Sequence, residues 1–237
     1  MITGILVAAL IAASPTPTSA PASPSTTPLR EVVYKVMTSE RIDDITESFG
    51  GGPAAKPPDS TDMGIGDGTV TVDVMAKFED GVLGVKVTEK WKDSALPLHF
   101  TGAVAPDGTV EFPLNTIDPV TIELLPYFAT HLAPDGALVS GVHWDVDKES
   151  GKTDVVTTYT VTAKTDNSVT LRKDTTIKAL GSETVNGAIV YDPSLLVPIS
   201  GQVRVRRTDM YSNGQATRTI DLKFVRQSDT FDATAAP

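Results

Sequence analysis

Between Thr69 and Glu79 the chain alternates strictly: Val70, Val72, Val74, Ala76 and Phe78 are interleaved with Thr71, Asp73, Met75, Lys77 and Glu79. A period of two places successive side chains on opposite faces of a strand, so the segment reads as a half-buried β-strand. Asp80-Gly81 then supplies the positive-φ pair that suits a tight hairpin, and Leu83, Val85, Val87 and Trp91 carry the alternation back. The same design recurs. Phe100–Ala105 turns through Pro106-Asp107-Gly108 into Thr109–Phe112, where Pro presets one turn position and Gly relieves another. Val155, Thr157, Tyr159 and Val161 lead through Asp166-Asn167-Ser168 into Val169, Leu171, Thr175 and Ile177. Ser212-Asn213-Gly214 separates Val203 and Val205 from Ile220, Leu222 and Phe224. With Glu31–Ile42 and Gly141–Asp147 this predicts about ten or eleven strands in an antiparallel meander. The expected class is all-β with one or two short helices, as a curved antiparallel sheet or unclosed β-barrel. Each strand has a wet and a dry side, so the sheet must curl or pack on something.

One segment breaks the period. Asp118 can accept backbone N–H bonds and Pro119 suits a first helical position, which predicts a short helix that Pro126 stops after two turns. Leu124, Leu125, Tyr127, Phe128 and Leu132 concentrate apolar surface there. Two readings stand side by side: ordinary core, or a lid across the mouth of the sheet. Phe49–Gly68 carries Gly50-Gly51-Gly52, Pro57-Pro58 and the acids Asp59, Asp62 and Asp67. Phosphate cradles need a positive field, which these acids oppose, and their spacing fits no calcium-loop template, so a flexible surface loop is expected.

The N-terminus adds an address. Ile2–Ala13 is an uncharged apolar run of about 12 residues, where a membrane-spanning helix needs about 20. It matches the hydrophobic part of a secretory signal, although the first charged residue is Arg30. Ala20-Pro21-Ala22 before Ser23 offers the small residues of a cleavage site. The expected organisation is a signal over 1–22, a Pro/Ser/Thr-rich linker over 23–29 and a single antiparallel β domain over 30–237. The protein is thus expected to be secreted or periplasmic and not an integral membrane protein; the competing reading is a low-complexity N-terminus on a cytosolic chain. There is no cysteine, which removes disulfides, thiolate metal sites and lipid attachment through an N-terminal Cys. A net charge of −10 would repel phosphate backbones, so nucleic acid is excluded as a partner.

No enzyme class stands out. The histidines are His99, His131 and His143. His143, Asp145 and Asp147 share one face of a predicted strand and form the candidate metal set, but neighbours two apart on a strand are about 7 Å from each other. A plain solvated face is the preferred reading of these three residues. Ile199-Ser200-Gly201 lacks the glycine two residues before the serine that a nucleophile elbow requires. Carboxylate pairs of the glycosidase kind are open, though two tryptophans are few for a carbohydrate cleft. No cofactor is implied.

The order of many antiparallel strands with a short apolar helical insert resembles the unclosed half-barrels of bacterial lipoprotein carriers of the LolA and LppX type, whose concave face holds acyl chains. Leu138–Arg207 is similar to uncharacterised bacterial envelope families in which a Gly-Asp-x-Trp element opens a β meander. Here that element is Gly141-Val142-His143-Trp144, with Val142 in place of Asp. The first resemblance implies a lipid-like or other amphipathic ligand; the second assigns no functional residue. The candidate ligand-binding set is Val72, Val74, Phe78, Val87, Leu222 and Phe224 on the dry face, covered by Leu124, Leu125 and Phe128. An envelope protein-interaction module and an exported hydrolase with a carboxylate or His site are the alternatives.

Overall fold

The computed structural model describes residues 27–45, 59–111, 120–150, 153–179, 181–211 and 214–230. They form strands β1 (Arg30–Ile45), β2 (Asp59–Lys77), β3 (Leu83–Trp91), β4 (Leu98–Val104) and β5 (Val110–Glu111), then a 3-10 helix (Val120–Phe128). Strands β6 (His143–Ser150), β7 (Thr153–Lys164), β8 (Val169–Ala179), β9 (Gly181–Asp192), β10 (Val197–Tyr211) and β11 (Gly214–Asp229) follow. All eleven belong to one antiparallel sheet in the order β5-β4-β3-β2-β1-β11-β10-β9-β8-β7-β6, which does not close. This is the expected all-β, unclosed architecture.

The order has a simple logic. Each half of the chain is a meander, and the two halves join where β1, the first strand, pairs with β11, the last. That leaves β5 and β6 at opposite edges of the sheet, although they are consecutive strands. The chain between them must cross the whole sheet, and the helix lies on that crossing. It contacts β4 and β5 on one side and β10 and β11 on the other, while Tyr127 meets Tyr159 on β7. Elements so far apart in the sheet order can touch one short helix only if the sheet curls around it.

Alternation decides what faces the helix. Val32, Tyr34 and Val36 on β1, Val70, Val72 and Val74 on β2, Leu83, Val85 and Val87 on β3, and Leu222 and Phe224 on β11 are buried and share the inner face. Tyr34 meets Phe128 and Phe224 edge-on, with ring centroids 6.3 and 5.9 Å apart. The predicted turns are present at Asp80-Gly81, at Asp107-Gly108, where Gly108 has φ +89°, and at Asp166-Asn167.

Two expectations are corrected. The loop assigned to Phe49–Gly68 is strand from Asp59 onward, because β1 extends to Ile45 and supplies a partner for the whole of that stretch. Gly68 there is a close approach: a Cβ would lie 2.8 Å from both the Lys90 carbonyl oxygen and Trp91 Cε3. The helix, in turn, is of the 3-10 type and does not stop at Pro126 but runs on to Phe128. A 3-10 turn needs no i→i−4 bond, and the Ala129 N–H donates to the Pro126 carbonyl at 3.2 Å, so the proline is accommodated. Ile2–Ala13, Ala22, Phe49–Pro58, Asp118 and Pro119 lie outside the described residues. Among the described residues no helix is long and apolar enough to cross a membrane.

Candidate functional site: a cleft between the helix and the β6–β9 wall

The helix packs against β4, β5, β10 and β11, with Phe128 on Tyr34 of β1, whereas toward β6–β9 it leaves a cleft of about 230 Å³. Val146 (β6), Val155, Thr157 and Tyr159 (β7), Lys173 and Thr175 (β8), and Glu183 and Val185 (β9) form the sheet wall. Glu123 and Pro126 of the helix face them, and Asp107–Val110 at the β4–β5 turn closes the third side. The exposed surface of the walls is mainly apolar, as in small-molecule sites generally, although Asp107, Thr109, Glu123, Thr157, Lys173, Thr175 and Glu183 all belong to the lining.

Four of those polar groups are tied in two pairs. Lys173 Nζ donates to Glu123 Oε2 at 2.5 Å, and Lys173 is 5% exposed. Burial pushes its ammonium down, but the Glu123 carboxylate, together with Tyr159 and Glu183, outweighs that and holds it above the ordinary lysine value. The pair is the charged tie between helix and wall. Thr157 and Thr175 hydroxyls meet at 2.9 Å across β7 and β8. Behind them Tyr159 stacks on Trp144, with centroids 5.5 Å apart, and meets Tyr127 edge-on. Burial raises the phenols of Tyr127 and Tyr159, so both stay protonated. Trp144 Nε1 and the Tyr127 hydroxyl are buried with no hydrogen-bond partner among the described residues.

The residues anticipated from sequence sit elsewhere. Val72, Val74, Val87, Leu124, Leu125, Phe128, Leu222 and Phe224 are buried in the packed core beneath the helix, and Phe78 is 55% exposed at the end of β2. The cleft lining is a different set. His143, Asp145 and Asp147 lie on the outer face of edge strand β6, where Asp145 accepts a hydrogen bond from Thr158 at 2.6 Å. Among the described residues no three His, Asp or Glu gather at metal-binding distance.

Lys173 was legible in principle. It falls between Leu171 and Thr175 at a position that the alternation assigns to the dry face, and a charge there needs a buried partner. Glu89, between Val87 and Trp91, is the same kind of exception. Comparison of the sequence with known protein families and with curated proteins finds no match to either.

Proposed function

We propose that this is an exported, non-catalytic binding protein that holds a hydrophobic or amphipathic, lipid-like ligand against the inner face of its open sheet. The carrying observation is the cleft between helix and wall: a mainly apolar surface, the Lys173–Glu123 ion pair and two threonine hydroxyls, with Asp107, Thr109 and Glu183 also in the lining. Such a site offers a chain-like ligand apolar contact together with polar groups that orient it. The unclosed sheet with a helix across it fits the resemblance to LolA- and LppX-type carriers, and the apolar run Ile2–Ala13 fits export. An envelope interaction module built on strand addition is favoured less. Edge strand β6 carries His143, Asp145 and Asp147 in one exposed row, and charges on an edge discourage pairing.

The test is to express the full chain with its own N-terminus in a bacterial host, and to follow both its export and its binding of the fluorescent apolar probe N-phenyl-1-naphthylamine. Export and saturable binding are expected, with Val185→Trp, which fills the cleft, reducing affinity at least tenfold. Absence of saturable binding would overturn the proposal.

A further inference from the structure

Four polar side chains stand together as a block on the inner face of the β6–β9 wall. Tyr159 pairs in register with Lys173, and two residues along, about 7 Å by strand rise, Thr157 pairs with Thr175. Apolar residues border the block. Val146 stands beside Thr157, Val185 stands beside Thr175, and Val155 lies two residues beyond Thr157 on β7. Block and border both line the cleft.

Buried polar groups are normally satisfied within a protein, and this block is only partly so. Tyr159 is 2% exposed, and its hydroxyl has no hydrogen-bond partner among the described residues. Burial is the main influence on its phenol; the charged groups that also bear on it, Lys173, Glu123 and Asp107, all belong to the cleft lining, which puts the hydroxyl at the cleft. The Tyr127 hydroxyl, by contrast, is fully enclosed. Lys173 gives one N–H to Glu123, and its remaining N–H groups meet no partner among the described residues. One threonine hydroxyl donates to the other, which leaves the second O–H of the pair unused. The block thus holds spare donors, along with phenol and hydroxyl oxygens that can accept.

Its charge, however, is already balanced. Glu123 is taken up by Lys173, Glu183 lies 3.9 Å from Arg207, and Asp107 is exposed and accepts the Thr109 N–H at 2.8 Å. An anionic head would enter beside these three carboxylates, and a cationic head would enter beside the buried Lys173 ammonium. Either sets an unpaired charge against side chains that are almost wholly buried.

Resting on the binding function proposed above, we infer that the cleft selects single-chain amphiphiles with an uncharged, hydroxyl-bearing head. The head hydroxyls accept from Tyr159 and Lys173 and donate to the threonine oxygens, while the chain lies against Val146, Val155 and Val185. A hydroxyl both accepts and donates, as the block requires, and a head without one leaves buried donors unpaired.

Four probes of one chain length, used below their aggregation concentrations, test the inference by displacement of N-phenyl-1-naphthylamine: 1-monododecanoylglycerol, methyl dodecanoate, dodecanoate and dodecyltrimethylammonium. The two esters share a chain and an ester link and differ in the glycerol hydroxyls. The glycerol ester is expected to bind about tenfold or more tightly than each of the other three. Tyr159→Phe removes one hydroxyl and keeps the ring contacts with Trp144 and Tyr127. It should weaken the glycerol ester about tenfold and the methyl ester by less than about threefold. Thr157→Val with Thr175→Val, which keeps the branched shape of the wall, should also narrow the gap between the esters and stands in should Tyr159→Phe fail to fold. Equal affinity for the four probes, preference for a charged head, or an advantage of the glycerol ester that survives Tyr159→Phe, or the threonine double variant in its place, would overturn the inference while leaving the binding function intact. A loss shared equally by the methyl ester would do the same. Failure of every probe and of N-phenyl-1-naphthylamine to bind would overturn both.

Discussion

Glu89 shows how one residue can work against the fold that surrounds it. Its carboxylate faces inward beside Val87, is 2% exposed, and accepts the Trp91 indole N–H at 3.0 Å; its other oxygen has no partner among the described residues. Burial raises its carboxyl above the ordinary value, and the Trp91 hydrogen bond offsets only part of that. A carboxyl raised on folding binds more protons in the folded chain than in the unfolded one. Its contribution to stability therefore falls as pH rises from the unfolded carboxyl range, about 4.3, through the raised folded value. Glu89→Gln keeps an acceptor for the indole and removes the buried charge. It should stabilise the protein by about 1 kcal/mol at pH 7, with the gain fading toward pH 4. Urea unfolding across that range checks both; a variant less stable at pH 7, or a gain that persists unchanged at pH 4, would contradict this account of the site.

At the scale of elements, strands and turns were readable because their signals are local. Alternation from Val70 to Phe78 and the Asp-Gly pair that follows depend on neighbours one or two residues apart, and they mark a hairpin whatever the rest of the chain does. The first part of β2 was not readable, since its glycines and aspartates disfavour a strand and only the long partner β1 makes one of them. The helix was placed correctly but its end was not: Leu124, Leu125, Tyr127 and Phe128 are all buried, a pattern set by enclosure in the curled sheet rather than by one amphipathic face. The cleft was hidden because it depends on which part of the sheet the helix fails to cover. Its polar tie, Lys173–Glu123, spans fifty positions of chain. Removing one member leaves the other charged in a largely dry place, so Lys173→Met should cost about 3 kcal/mol. Lys173→Met combined with Glu123→Gln should recover most of that loss, which a double-mutant cycle by urea unfolding measures. Two small and additive single effects would mean that the pair does not hold the helix to the wall.

For the molecule as a whole, the decisive contact is the seam between the first strand and the last. β1 pairs with β11 from Val32↔Asp229 to Ile45↔Gln215, and apart from the helix crossing this ladder is what joins the β2–β5 arm to the β6–β10 arm. The helix couples the arms a second time, since Phe128 packs on Tyr34 while Tyr127 packs on Tyr159. Neither arm can bury its inner face alone, because each would lose both the helix and the facing wall. Unfolding should therefore be a single cooperative event despite the length of the sheet. Trp91 lies on β3 in one arm and Trp144 on β6 in the other, and these are the two tryptophans of the chain. Trp144→Phe leaves a reporter in the first arm; Trp91→Phe leaves one in the second. In each variant the fluorescence transition in urea should coincide with that variant's own far-ultraviolet dichroism transition. A fluorescence midpoint displaced from the dichroism midpoint by more than the fitting error, in either variant, would mean that the seam does not bind the arms into one unit. The inner face would then open one arm at a time, and the cleft would belong to the β6–β9 arm rather than to the whole sheet.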